Sequence, residues 1–494
     1  MTGPTGPQVN GAQQSADGAT RPPILFSPAQ ASPLVRVAVS DPADAGVVGR
    51  LRGQVAARLE ELEAADRRAG RHVSAADERV HARGVIAAEV EVWIADRAAR
   101  GLPPLPQATE QGLIGAVWDA MFGLGALQPL LERADVENIH IHGHDRIALE
   151  LADGSVEWWP YPVADSDEDL VALVARFAAQ MAQTGREFSA ASPMLNLRLP
   201  AGGPLGARLA AVTEVTDRPR VAIRRHRLPE VSLGGLVDNG TISAGLANFL
   251  GAAVRAGINM VVCGGPAAGK TTLLRALCAE IGPDEHVVTC EEEYELGLHH
   301  MPRWHPLVTA MEARYPNAEG AGGISLHDLV NQALRQSPHR VIVGEVRGGE
   351  VTAMLRALGN GAAGGMCTLH AASAEAVFDR IASLGQLADP PMPVDAAYRW
   401  TAQAIGLVIH IRRTDHAHPG RAQRRRFVSE VLAVGPVGDS GRPDITCLFS
   451  PDAHDGHAVP DMPPQPRLLE DLVRHGFDAT WLLQRDNPHR RWPA

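Results

Sequence analysis

Three side chains in this sequence have the type and setting to act on a polyphosphate. The first is Lys270, which stands in Gly264-Gly265-Pro266-Ala267-Ala268-Gly269-Lys270-Thr271-Thr272, a full match to the pattern G-x-x-x-x-G-K-[ST]. In such a loop backbone N–H groups line the phosphates, the lysine reaches the β- and γ-phosphates, and the next hydroxyl holds magnesium. Lys270 is the only lysine in the chain, and the other 45 of its 46 basic residues are arginine. Lysine is a compact charge on a flexible stem and arginine a rigid fork, so a loop that wraps phosphates is where the two exchange worst. The other two candidates are carboxylates that follow apolar runs. Glu345 ends Val341-Ile342-Val343-Gly344-Glu345, and Glu291 opens the acidic run Glu291-Glu292-Glu293-Tyr294-Glu295. A strand-end carboxylate beside a phosphate loop is where a nucleotide enzyme needs a metal ligand or a base for the attacking water. Glu345 fits best, although Gly344 stands where an aspartate would hold magnesium. The plainer readings are a glycine-rich turn for the loop and solvated strand ends or an exposed acidic face for the glutamates.

These residues need strands to carry them, and the sequence supplies the pattern. From Ser243 a helix over 243–256 precedes an apolar run Ile258 to Cys263, the phosphate loop, a helix over 270–281 and a strand His286 to Cys290. The alternation continues with helix Ser325 to Gln336, strand Arg340 to Gly344, helix 349–358, strand Met366 to His370, helix 373–385 and strand Ile405 to Ile411. Strands alternating with helices predict a parallel sheet, which binds ligands at the carboxyl ends of its strands. The glycine loop follows a strand and opens a helix, the context in which N–H groups point at anionic oxygens.

Outside this core the expected organisation is a disordered leader over 1–48, a helical subdomain over 49–108, an α+β amino domain over 109–235, the core over 236–412, and an appendage with a partly mobile tail over 413–494. Leu51, Val55, Leu59 and Leu62 predict one helix face, and Val80, Val85, Val90 and Ile94 a second. Helix Leu113 to Leu124 and strand-like runs at Asn138 to Ile141 and Ile147 to Glu150 mark the α+β domain; His226 to Asn239 reads as a linker. A net charge of -11 and a pI near 6.0 argue against bulk binding to nucleic acid. Five cysteines without a C-x-x-C indicate neither a disulfide framework nor a zinc knuckle and fit a reducing cytoplasm. No stretch approaches the roughly 18 apolar residues of a membrane span, so the expectation is a chain that is soluble or peripheral through partners.

Together these motifs resemble the type II/type IV secretion ATPase superfamily, and within it the CpaF/TadA-like branch associated with Tad pilus assembly and related secretion. The resemblance covers roughly residues 110 to 412. It rests on Gly264 to Thr272, the box Thr289-Cys290-Glu291-Glu292, the segment Met311 to Asn317, Leu334-Arg335 followed by Ile342 to Glu350, and Thr368-Leu369-His370-Ala371. Gly123-Leu124-Gly125, Ser192-Pro193-Met194 and Arg198-Leu199-Pro200 add to it upstream. It implies an α/β fold with a RecA-like P-loop core, preceded by an α+β amino domain and a small helical subdomain. It further implies an ATP- and Mg²⁺-dependent homo-hexameric motor, cytoplasmic and peripheral at the membrane through an inner-membrane platform protein; the acidic charge balance adds the expectation of no stable nucleic-acid partner. Carried over by residue, Lys270 and Thr271 meet nucleotide and Mg²⁺, Glu291 belongs to the acidic box, Glu345 is the Walker B glutamate that also reaches Mg²⁺ through water, and His370 senses the γ-phosphate. Arg198, Arg208, Arg224 and Arg225 match amino-domain arginines that reach a phosphate across a cleft or subunit interface. Three departures stand out: Glu292 and Ala362 where the family usually has Asp and His, and Pro266-Ala267-Ala268 in place of a Gly- or Ser-rich loop. Glu292 and Ala362 lead us to expect slow turnover.

Other readings stay open on the residues alone. A P-loop phosphotransferase predicts a monomer with an arginine-rich lid after the core. A nucleic-acid translocase uses the same fold, but the arginine clusters lack interleaved aromatics. A non-hydrolysing scaffold fits the departures. His140, His142 and His144 alternate as a metal site does, without an acidic or cysteine partner in sequence range. Arg220, Arg224, Arg225 and Arg227 form a solvated run or a phosphate contact. Arg424-Arg425-Arg426 match no phosphate motif and are candidates for a lipid or partner contact.

Overall fold

The structure, a computed structural model, describes residues 46–69, 75–181, 187–203, 205–225, 231–317, 319–359, 363–418 and 421–483. The expected leader before residue 46, Arg227, Ala362 and the last eleven residues lie outside these. The chain forms two compact units, residues 1–121 and 122–494.

The described part of the first unit is helical: Val47–Arg68, Ala75–Ala99 and Gln107–Phe122, the last ending at the boundary. Its core joins Val47, Leu51 and Val55 to Ile86, Val90, Leu113 and Val117. The helix expected near 113–124 thus packs with the first two helices. Two expected face residues are exposed, Leu62 and Val80. In the second helix Ala82, Ile86 and Val90, each four apart, are buried, and Val80 lies out of phase with that stripe.

The second unit is built on two sheets. The first has strand order β3-β2-β1-β6-β5-β4, with β1 Val136–His142, β2 Ile147–Leu151, β3 Val156–Trp159, β4 Met194–Leu199, β5 Ala207–Val212 and β6 Arg220–Arg225. Every neighbouring pair is antiparallel, and β5 alternates buried Ala207, Leu209 and Ala211 with partly exposed residues, the pattern of a sheet with one face on a core.

The second sheet carries the P-loop, and the unit has the expected α/β, RecA-like form. Its strands are β7 Met260–Gly264, β8 Val287–Glu291, β9 Val308–Glu312, β10 Arg340–Val346, β11 Met366–His370, β12 Leu407–His418, β13 Arg421–Val437, β14 Pro443–Pro451 and β15 Ala458–Pro460. They run β15-β14-β13-β12-β7-β11-β10-β8-β9. The six strands from β12 to β9 are parallel; β13 to β15 extend the sheet antiparallel. β7 and β8 are buried throughout, with Met260 and Val262 facing one apolar cluster and Val261 and Cys263 the other. Burial on both faces is why these strands read as continuous apolar runs.

The stretch expected as a linker is helical over Leu233–Asp238, because the Ser232 side chain accepts from the Gly235 N–H and caps it despite two glycines. The sheet also continues past residue 412. The Val428 N–H donates to Thr241 O at 3.0 Å, and Phe427 stacks on His457 with ring centroids 4.3 Å apart, so the hairpin β12–β13 is packed into the P-loop unit. Among the described residues no single helix is long and apolar enough to cross a membrane.

Candidate functional site

β7, β11 and β10 are neighbours in the sheet, and their carboxyl ends deliver Gly264 with the phosphate loop, His370 and Glu345 to one place. The loop turns on glycines that tolerate no side chain. A Cβ on Gly264 would lie 2.2 Å from the Ile411 carbonyl oxygen, and Gly269 sits at φ 99° as the cap of helix Lys270–Cys278. Lys270 therefore starts the helix, only 7% exposed, where the first N–H groups and the helix dipole favour an anion.

Around its ammonium Glu345 and His370 converge. Lys270 Nζ donates to Gly265 O at 3.1 Å, lies 3.8 Å from Glu345 Oε1, and is 3.4 and 3.3 Å from His370 Nδ1 and Nε2. His370 Nε2 meets Glu345 Oε1 at 2.8 Å, and the Arg347 guanidinium holds Glu345 Oε2 with Nε at 2.7 Å. Burial, opposed by the nearby Glu345, lowers the Lys270 pKa; burial and the Lys270 charge lower that of His370. A neutral imidazole in this place donates from Nε2 to Glu345 and leaves Nδ1 as acceptor.

The acidic run divides into a buried and an accessible part. Glu291 is 1% exposed, and its Oε2 accepts the N–H groups of Glu295 and Leu296 at 2.8 Å each while Thr289 donates to Oε1 at 3.2 Å. Burial nevertheless pushes its pKa up to about 7. The carboxylate thus fixes the loop that presents Glu295, whose Oε2 accepts from Thr271 Oγ1 at 3.3 Å. A Cβ on residue 344 would come within 3.0 Å of Glu291 Cγ, which accounts for Gly344 where an aspartate was sought. Thr271, Glu295 and Glu345 offer oxygen donors to one cleft, a set that suits a hard dication such as Mg²⁺.

That cleft encloses about 1940 Å³, and its walls include Lys270, Thr271, Glu345 and His370 together with Arg224 and Arg225 of β6 and Arg425 and Arg426 of β13. The amino-domain arginines form a ladder: Arg198, Arg208 and Arg224 are directly paired across β4, β5 and β6. Like charges placed so repel, and carboxylates of β9 and of the loop after β8 answer two of them. Arg198 lies 3.7 Å from Glu312 and stacks over Tyr294, and Arg208 meets Glu293 at 3.2 Å. Burial pushes Glu293 up to about 7 despite Arg208. Arg224 is the rung that faces the cleft, whereas Arg198 and Arg208 do not line it.

The remaining motifs do other things. The three histidines do not converge: His144 Nδ1 pairs with Asp167 at 2.8 Å in a cluster with Arg218, while His140 lies 3.9 Å from Glu150. No group of three or more His, Cys, Asp or Glu fit to hold a metal occurs among the described residues. Arg220 pairs with Asp217. Arg347 holds Glu345 from two residues further along the same motif, whereas the contact of Arg426 has no signal in local sequence, since its partner is 159 residues away.

The type II/IV secretion system protein family matches this chain over residues 128–439, which takes in the first sheet, β7 to β13 of the second, and the phosphate loop with Glu345 and His370. The chain belongs to that family. A conjugal transfer protein of Mycobacterium tuberculosis (strain CDC 1551 / Oshkosh) is 34% identical over 361 residues, 72% of this chain and 95% of the relative. The type IV secretion system protein PtlH of Bordetella pertussis is 34% identical over 186 residues, 37% of this chain and 52% of that protein. Among solved structures, the VirB11 ATPase of the Brucella suis type IV secretion system, crystallised with sulphate, aligns with a TM-score of 0.32 at 23% identity, covering 62% of this chain and 95% of that one.

Proposed function

We propose that this secretion-family chain hydrolyses ATP as a subunit of a hexameric motor, at the cytoplasmic face of the membrane, and passes the motion to a membrane platform protein of a pilus or secretion system. The observation that carries this is the convergence of Lys270, Glu345 and His370 from three adjacent parallel strands, within 4 Å of one another in a cleft large enough for a nucleotide. In this reading the loop N–H groups and Lys270 bind the β- and γ-phosphates. Thr271, with Glu345 through water, holds Mg²⁺, which neutralises phosphate charge when bound. Glu345 orients and deprotonates the attacking water, and His370, already hydrogen-bonded to it, faces the γ-phosphate. Arg224 is the amino-domain arginine with access to the phosphates within the chain; Arg208 needs release from Glu293 or a neighbouring subunit's site. Glu291 acts by holding the loop that carries Glu295.

The Tad-type assembly branch is our finer assignment, supported by the motifs from Met311 to Asn317 and from Ile342 to Glu350. The name of the mycobacterial relative favours one alternative, a role in conjugation, where the ring acts on DNA or on proteins that accompany it. One experiment separates these. Full-length protein with Mg²⁺ and a non-hydrolysable ATP analogue is imaged as particles, and phosphate release is followed with and without single-stranded DNA. Six-fold rings with DNA-independent turnover are expected. A strictly monomeric protein would sink the motor, and DNA-stimulated turnover would promote the translocase.

A further inference from the structure

The phosphate loop contains a backbone conformation that its sequence does not favour. Ala267 sits at φ 54°, in the left-handed region where a Cβ crowds the following carbonyl and glycine is the usual occupant. Something must hold this peptide, and a residue 159 positions away does so. Arg426 Nε donates to the Ala267 carbonyl at 3.0 Å, and the Arg426 Cδ lies 3.3 Å from where a Cβ on Gly269 would be. The stem thus covers the loop's end at Gly269 and the head clasps its middle at Ala267.

Arg426 is itself held in place. Its neighbour Phe427 is buried against His457, whose Nε2 lies 3.2 Å from Gly240 O, and Val428 bonds Thr241. Beneath the loop, Ile411 of the same hairpin fills the space under Gly264 and Gly269. The guanidinium is therefore delivered to the loop by a packed strand.

We propose that Arg426, outside the P-loop motif and on the carboxy-terminal hairpin, is a positioning residue for nucleotide binding that acts by holding Ala267 in its left-handed conformation. The bond fixes the peptide that follows Ala267, whose Ala268 N–H donates to Gly265 O at 3.4 Å, and with it the turn that leads into Gly269 and Lys270. Glycine at 267 adopts the same φ unaided, so the need for Arg426 depends on the alanine. The inference rests on the cleft being a nucleotide site.

The test is a double-mutant cycle in the full-length chain, with Mg²⁺ and a fluorescent N-methylanthraniloyl ADP as the probe. Arg426→Ala is expected to weaken binding about tenfold, the scale of one charge-assisted hydrogen bond, and to raise KM for ATP with little change in kcat. In the Ala267→Gly background the same substitution is expected to cost less than about threefold. Arg426→Lys, which keeps a donor on a flexible stem, is expected to fall between and covers the case in which the alanine variant does not fold. Equal losses in both backgrounds, or no loss in either, would overturn the inference while leaving the nucleotide site intact. Failure of the unsubstituted protein to bind the probe would remove the site and the inference together.

Discussion

The two sheets of the second unit gather charge in opposite ways. In the nine-stranded sheet, parallel strands end side by side, and topology brings unlike groups together: lysine from the loop after β7, glutamate from β10, histidine from β11. In the six-stranded sheet, antiparallel register lines up like groups, so that Arg198, Arg208 and Arg224 face one another across β4, β5 and β6. The first cluster pairs unlike charges from within one sheet, with Glu345 set among Lys270, His370 and Arg347. The second is out of balance and borrows Glu312 from β9 and Glu293 from the loop after β8. In the proposed reading the parallel sheet supplies the lysine, glutamate and histidine of the site from its own strand ends, whereas the arginine ladder has two rungs committed to carboxylates and one, Arg224, on the cleft wall.

The largest effect expected from this division is on nucleotide binding. Lys270→Ala removes the ammonium proposed to meet the phosphates and should weaken binding by roughly a hundredfold or more, as loss of a charge-assisted contact from a buried site does. Arg224→Ala should cost no more than about threefold in equilibrium titration and act on turnover instead. Equal losses would break the distinction between the two sheets.

Next comes stability. Gly264→Ala sets a methyl group against the Ile411 carbonyl, a backbone atom that cannot step aside, and should cost about 2–4 kcal/mol. Gly344→Ala meets the Glu291 side chain at 3.0 Å, which can yield a little, and should cost about 1–2 kcal/mol. Thermal unfolding midpoints of the two variants rank them, and the reverse order would show that the loop is not seated on β12 as described.

The effect that vanishes at low pH concerns the contact between the sheets. Glu293 is raised from the ordinary 4.5 to about 7, chiefly by burial. A carboxyl whose folded value lies above its unfolded one adds stability that is complete below about pH 4.5 and lost as pH rises through about 7. Glu293→Gln removes that loss. Its unfolding midpoint should match the parent's near pH 5, falling short if anything, and exceed it at pH 8 by an amount worth at most about 3 kcal/mol. A difference independent of pH would mean that Glu293 is fully paired by Arg208 and ordinary.

How much of this the sequence disclosed follows from the same contrast. Buried parallel strands are apolar runs, so β7, β8, β10, β11 and the start of β12 were legible, and the loop, Glu345 and His370 came with them. β9 was not, because all five of its residues are only half buried and leave no apolar run. The hairpin β12–β13 was hidden by its arginines, which read as a solvated tail. Register cannot be read from composition, so the arginines were visible as a cluster but not as a ladder, nor could Arg208 be matched to Glu293. The bond from Arg426 to Ala267 joins residues 159 apart, and the only local hint was alanine in a loop that favours glycine. Glu291 was visible as a strand-end carboxylate, but its burial beneath the cleft depends on Gly344 of a neighbouring strand.

The most direct measurement of the central claim is a paired assay on Glu345→Gln, which keeps the size and the hydrogen-bonding shape of the carboxylate but cannot take a proton from water. The account predicts that this variant binds ATP with Mg²⁺ as the unsubstituted chain does, while phosphate release falls by about a hundredfold or more. Phosphate release unchanged in Glu345→Gln would contradict it.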